Sequence, residues 1–308
     1  MSNETQASIL SLRTKPIIIG IDMEKLYLVD GTFELFRAYH SSEGKIVDGQ
    51  EVGASIGFCR NVANLILREN AKHIAIAFDQ VIESFRNELF AGYKTGEGMP
   101  EELWTQFPIV EKASELMGMV VWPMREFEAD DALATASRLY QKDFEIIICS
   151  PDKDLYQCVN DRVHLLDRIR SKSIGIEEVD EKFGIKPTSI PDLLALVGDK
   201  ADGIPGIPKW GLKSSGIILK EFEHIENIPQ SQNEWPKLRG RDGLFKSFME
   251  NIEELRLYKT LATLRFDVPL KEKAADLRWH SVSKDFEAFS TSVLANTRTF
   301  EALSKLSQ

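Results

Sequence analysis

The chain has 308 residues, 43% hydrophobic and 28% charged, the make-up of a globular protein long enough for about two domains. Its apolar runs, such as Ile17-Ile18-Ile19, fall far short of the roughly 18 to 20 residues of a membrane span, and Arg13 and Lys15 interrupt any signal-peptide core, so a cytoplasmic protein is expected. Cys59, Cys149 and Cys158 are widely spaced and no HExxH occurs, which excludes a disulfide framework and a zinc site; a net charge of -10 argues against phosphate binding unless the acids gather where cations neutralise them.

In chain order, residues 26–30 form the first predicted strand, Leu26-Tyr27-Leu28-Val29, closed by Asp30. A helical pattern covers 53–69, and the strand at 73–79 runs through Ile74-Ala75-Ile76-Ala77-Phe78 to Asp79. A helix at 101–117 leads to a strand at 119–122. The next helix, 128–142, has an apolar face of Ala132, Leu133, Ala136 and Leu139, and opens on Glu128, Asp130 and Asp131. A strand at 145–149 precedes Asp152 and Asp154. Strands alternating with helices predict an α/β fold with a mainly parallel central sheet flanked by helices, Rossmann-like, whose ligands lie beyond the carboxyl ends of the strands. After about residue 185 the β-branched runs fade. Apolar helices at 190–197 and 215–222 are joined by a Gly-rich stretch carrying Asp199, Asp202, Gly203, Gly206 and Gly211, whose backbone amides suit a phosphate, and a helical second domain is expected over 186–308.

Each acid judged alone has an ordinary role: Asp30 before Gly31 as a turn residue, Glu128 to Asp131 or Asp152 and Asp154 as helix caps, Asp199 and Asp202 as loop acids. Together, nine carboxylates in clusters beside strand ends would repel one another unless cations neutralise them, which points to divalent metal, magnesium first.

These blocks resemble the 5′-nuclease domain of bacterial DNA polymerase I, in the flap endonuclease superfamily, over about residues 25–271. The likeness rests on Val29-Asp30-Gly31-Thr32 with Phe36-Arg37-Ala38-Tyr39-His40; on Phe78-Asp79; on Phe85-Arg86-Asn87-Glu88-Leu89-Phe90-Ala91-Gly92-Tyr93-Lys94 with Met99-Pro100; on Glu128-Ala129-Asp130-Asp131; on Asp152-Lys153-Asp154; on Gly198-Asp199 through Gly206; and on Leu261-Ala262-Thr263-Leu264 with Asp267-Val268-Pro269-Leu270. It implies a PIN-like nuclease core at 23–185 with a helical arch at about 80–108, and a C-terminal helix-turn-helix DNA-binding domain at 186–308.

The resemblance further implies that Asp30, Asp79, Glu128, Asp130, Asp131, Asp152, Asp154, Asp199 and Asp202 surround two or more Mg2+ or Mn2+ ions. Arg86 and Lys94, eight residues apart on one expected helix, would meet the scissile phosphate. Arg37, Gly203, Gly206, Lys209, Gly211 and Lys213, with Lys220 beside them, would contact DNA, K+ would sit at the helix-turn-helix, and Tyr39 or Phe85 could stack on a base. The activity implied is 5′-3′ exonuclease and 5′-flap endonuclease cleavage of DNA in replication and repair, by a monomer whose partner is DNA with a 5′ flap or 5′ end at a duplex junction. A chain ending at residue 308 is expected to be a stand-alone nuclease, with residues 1–22 a leader outside the likeness.

Two positions depart from the family pattern. Glu97 stands where an Arg usually follows the arch Lys, and Lys209 where the loop usually has Gly. A non-catalytic binder of branched DNA and an RNA-cleaving relative are the alternatives. A phospho-aspartate phosphatase is not, because Leu28 occupies the position of its nucleophile.

Overall fold

The structure, a computed structural model, describes residues 23–96 and 99–307, so the 1–22 leader and the Glu97 departure lie outside the described residues. β1 (Lys25–Asp30) turns directly into α1 (Gly31–Ser41), and a small hairpin, β2 (Ile46–Val47) and β3 (Gln50–Glu51), leads to α2 (Gly53–Glu69) and β4 (His73–Asp79). Three short helices follow, α3 (Phe85–Leu89), α4 (Glu101–Trp104) and α5 (Phe107–Leu116), then β5 (Val120–Met124), α6 (Ala129–Tyr140), β6 (Glu145–Cys149) and the hairpin of β7 (Val163–Asp167) and β8 (Lys172–Ile174). The rest is helical: α7 (Ile176–Phe183), α8 (Ile190–Val197), α9 (Leu212–Phe222), α10 (Arg241–Glu250), α11 (Ile252–Ala262), α12 (Asp285–Ser292) and α13 (Arg298–Ser304), with short 3-10 turns between.

The central sheet has six strands in the order β5-β4-β1-β6-β7-β8, all parallel except β8. Period-two alternation sends Tyr27, Val29, Ile74 and Ile76 to the face covered by α1, α2 and α5, and Leu26, Leu28, Ala75 and Ala77 to the face covered by α6. Covered on both sides, these strands read as unbroken apolar runs. The register sets Asp30 beside Ala77, and Asp79 beside Met124, so the acids ending β1 and β4 share one rim of the sheet. β6 flanks β1 on its other side and delivers Ser150 and Asp152 to the same rim.

Three expectations change. The helix expected at 101–117 breaks at Thr105–Gln106. Pro108 lacks the amide needed to continue the first helix, and the buried Gln106 side chain instead accepts from Ser55 N (2.8 Å) and Ser55 Oγ (2.9 Å). The arch region does not hold Arg86 and Lys94 on one helix: α3 ends at Leu89, and the chain runs on irregularly with Tyr93 buried in the core.

The third change concerns the helical unit expected at 186–308, which divides. After α11 the chain returns to the sheet, where Trp279 Nε1 donates to Met117 O (2.8 Å) and Ser283 N donates to Leu116 O (2.8 Å). Phe286, Leu294 and Leu303 are buried in the core that contains α2 and α5. Lys45 Nζ binds the carbonyls of Leu294 (3.1 Å) and Ala295 (2.7 Å), closing the end of α12. Among the described residues no helix is long and apolar enough to cross a membrane.

Candidate active site

Asp30 ends β1 and caps α1. Its Oδ1 accepts from Phe33 N (2.8 Å) and its Oδ2 from Ser150 Oγ (2.9 Å). Asp79 Oδ1 accepts from Ala129 N (2.8 Å) at the start of α6, and Thr32 Oγ1 holds the Asp79 amide at 2.9 Å. On the other side of β1, Asp152 N donates to Ser150 Oγ (3.2 Å), and Asp152 Oδ1 accepts from Asp154 N (2.9 Å). The loop after α8 folds back through paired Asp199 and Ile204 bonds of 2.7 and 2.8 Å, and its Asp202 carbonyl accepts from Lys94 N (3.0 Å).

Seven of the nine acids meet here. Burial raises the Asp30 carboxyl to about 7, with the charges of Asp79 and Asp152 adding to it. Burial likewise raises Asp130, with Asp30 and Asp152 pressing on it, and Asp154, with Asp152 and Asp202 pressing on it; Asp79 and Asp202 shift the same way. Ligand oxygens of Asp154, Asp199 and Asp202 lie within 4.8 Å of one another. Asp154 Oδ1 is buried and accepts no hydrogen bond. Crowded, desolvated oxygen ligands with an unsatisfied acceptor fit a hard divalent cation, and these residues could hold one.

Lys94 belongs to the cluster. Its ammonium lies 3.6 Å from Glu128 Oε2, and although burial works against its charge, Asp79, Glu128, Asp130 and Asp202 hold its pKa above the usual lysine range. Lys153 pairs with Asp199.

Glu128 and Asp131 face a different partner. Arg86, 1% exposed, directs Nη1 to Glu128 Oε1 (2.9 Å) and Asp131 Oδ2 (2.8 Å), Nη2 to Asp131 Oδ1 (2.7 Å) and Thr263 O (3.0 Å), and Nε to Leu261 O (2.8 Å). All five N–H donors of the guanidinium are used, so Arg86 is a buried anchor rather than a cation offered to a phosphate. Asp131 also accepts from Arg265 N (2.8 Å) and Glu128 N (3.0 Å). With four hydrogen bonds on its two oxygens and no exposure, Asp131 is fully engaged as an acceptor by Arg86 and by the Glu128 and Arg265 amides. Glu128 is partly committed as well, since Ser84 Oγ donates to its Oε1 at 2.7 Å.

Of the expected DNA contacts, Arg37 lies apart on α1, whereas Gly203, Gly206, Lys209, Gly211 and Lys213 share the loop and first turn that open α9. Arg37 sits two turns into α1, where it pairs with buried Glu34 at 3.1 Å in a cleft shared with Arg68 and Arg168. Gly203 (φ 72°) lies so close to Gly92 O that a Cβ would stand 2.2 Å from it, so it docks the α8–α9 loop on the segment carrying Lys94. Gly206 (φ 69°) packs on Val197 and Gly198, whereas a Cβ at Gly211, the N-cap of α9, would meet open space. Lys209, Lys213 and Lys220 are exposed, and Lys209 holds a left-handed φ of 73°. Phe85 packs under the Arg86 and Arg265 guanidiniums (4.6 and 5.3 Å), and Tyr39, on α1, packs partly buried against the core that contains α2 and α5.

The sequence assigned no role to Ser150 and Arg265, nor to Thr32 and Tyr93 beyond their place in the blocks that carry the resemblance. Uncharged hydroxyls carry no clustering signal; for Lys153, flanked by two acids, the signal was present.

The sequence matches two family profiles end to end: "5′-3′ exonuclease, N-terminal resolvase-like domain" over residues 25–184 and "5′-3′ exonuclease, C-terminal SAM fold" over residues 185–285. The chain is 32% identical to a 5′-3′ exonuclease of Aquifex aeolicus, over 86% of this chain and 96% of that protein. It is 34% identical to the DNA polymerase I of Rhizobium leguminosarum over 80% of this chain, but spans only 25% of that protein's length. Among solved structures, a zinc-bound T5 5′-exonuclease superposes with a TM-score of 0.65 at 18% identity, covering 92% of this chain and 97% of that one. The catalytic core of Rad2 in complex with DNA superposes at 0.61 with 15% identity, covering 92% and 93%.

Proposed function

The chain belongs to the 5′-3′ exonuclease family of nucleases, and from that premise we propose that it hydrolyses DNA at a 5′ end or 5′ flap beside a duplex junction, using two or more Mg2+ or Mn2+ ions. The observation that carries this is the convergence of Asp30, Asp79, Asp130, Asp152, Asp154, Asp199 and Asp202 at one rim of the sheet, with Asp154 Oδ1 buried and unpaired. These carboxylates would hold the divalent ions, which would supply charge neutralisation at the phosphate and a more acidic water.

The chain's own residues prepare that chemistry. Ser150 and the Phe33 amide fix both oxygens of Asp30, and the Ala129 amide fixes Asp79, so the ligands are oriented before any ion arrives. Lys94 brings a permanent positive charge to the edge of the acids, suited to a phosphate oxygen as the 5′ strand enters. Arg86, Glu128 and Asp131 lock the start of α6 so that Asp130 points into the cluster. Lys209, in the loop before α9, and Lys213, in its first turn, are suited to the duplex backbone, with Gly203 and Gly206 shaping that loop and K+ its proposed ion.

The test is cleavage of a 5′-flap duplex with and without Mg2+, alongside Asp130→Asn and Asp152→Asn. The expected outcome is Mg2+-dependent cutting that drops at least about 100-fold in either variant with flap binding retained. Wild-type cutting in EDTA would refute the proposal. Parallel all-DNA and all-RNA flaps separate it from an RNA-cleaving relative.

A further inference from the structure

We propose that Lys153 is an internal counter-cation of the Asp154, Asp199 and Asp202 cluster, which a divalent ion must displace in order to load, so that this lysine sets the metal affinity of that half of the site. The inference rests on the metal-dependent function above.

Lys153 stands between Asp152 and Asp154 in the turn that follows β6, at the start of the 3-10 helix Asp154–Cys158. Its Nζ pairs with Asp199 Oδ2. Asp199 Oδ1 already accepts from Ala201 N at 3.0 Å, which leaves Oδ2 as the less committed oxygen, and the ammonium holds it. The pairing is unequal in burial: the Asp199 side chain is 4% exposed, that of Lys153 37%.

One ammonium does not complete this cluster. Ligand oxygens of three carboxylates stand within 4.8 Å of one another, and Asp154 Oδ1 remains buried without a donor. A lysine also gives its charge through a flexible four-carbon stem, here partly open to solvent, so it can leave Asp199 without disturbing the backbone. A divalent ion brings twice the charge and several coordination positions. Lysine and metal therefore compete for Asp199 Oδ2, and the metal-free cluster stays folded because the lysine occupies it.

The test is calorimetric titration of the full chain with MnCl2, without DNA, for wild type, Lys153→Met and Lys153→Arg. Removing the competing charge should tighten Mn2+ binding about tenfold in Lys153→Met, a conservative fraction of the Coulomb interaction at this separation, while Lys153→Arg binds no tighter than wild type. A second measurement needs no variant. Acetylation of wild-type lysines, read by mass spectrometry, should show Lys153 becoming more reactive as Mn2+ is added. Equal Mn2+ affinity in wild type and Lys153→Met, or protection of Lys153 by Mn2+, overturns the inference and leaves the metal-dependent function standing. A wild-type chain that takes up no Mn2+ overturns both.

Discussion

Arg86 and Lys209 mark two opposite uses of a basic residue. Arg86 is enclosed and neutralises Glu128 and Asp131, so Arg86→Met strands two buried carboxylates and should cost about 3–5 kcal/mol, read from urea unfolding. A loss under about 1 kcal/mol would mean that the pair is not what holds α6 in place. Lys209 is exposed and keeps a left-handed backbone that favours glycine. Lys209→Gly should therefore stabilise the fold by about 1 kcal/mol. It should also weaken duplex binding and flatten the salt dependence by about one unit. Stabilisation without loss of binding would remove Lys209 from the DNA surface. The enclosure of Arg86 was not legible in the sequence, whereas Lys209 already stood out there as occupying a position where the loop usually has Gly. Glu128 and Asp131, three residues apart, share a helix face, but only the tertiary position of Arg86 makes that face the one paired with a buried cation, while Asp130 feels the charges of Asp30 and Asp152. Asp30, Asp79 and Asp152 were legible, because each follows a run apolar enough to be a buried strand.

Strand ends and the loops beyond them hold the acids in a state that folding alone does not favour. The Asp30 carboxyl, raised to about 7 by burial and by Asp79 and Asp152, lies above its unfolded value. The stability it contributes is therefore complete below about pH 4 and is lost as pH rises through about 7. Asp130 and Asp154 shift in the same direction. Metal-free protein should melt at a lower temperature at about pH 8 than at about pH 6, and Mg2+ should raise the melting temperature more at the higher pH. Equal increments at both pH values would show that the ion binds away from these carboxylates. The core strands were readable as elements because a parallel strand covered on both faces is a continuous apolar run. The β7–β8 hairpin was not, since Val163-His164-Leu165-Leu166-Asp167 is short and lies toward the sheet edge. The collapse of the arch region onto the body was not readable either, because the Gly203 contact with Gly92 joins segments more than a hundred residues apart.

Across the whole molecule, the last helices tie the ends of the chain's course together. Phe286 is fully buried in the core that contains α2 and α5, so Phe286→Ala should cost about 3–5 kcal/mol in a single unfolding transition that includes the sheet. Were α12 and α13 an independent appendage, that substitution would leave the main transition where it was. Their sequence shows ordinary amphipathic helices, and nothing in it names the groove that receives them. The tie from Lys45 to Leu294 spans 249 residues, and this has a consequence for how the protein is made. Because Phe286, Leu294 and Leu303 pack into the core that contains α2 and α5, synthesis would leave that apolar surface uncovered until α13 has emerged. Newly made sheet would thus wait, unsealed, while more than a hundred further residues are added, and that interval is when a chaperone would find it.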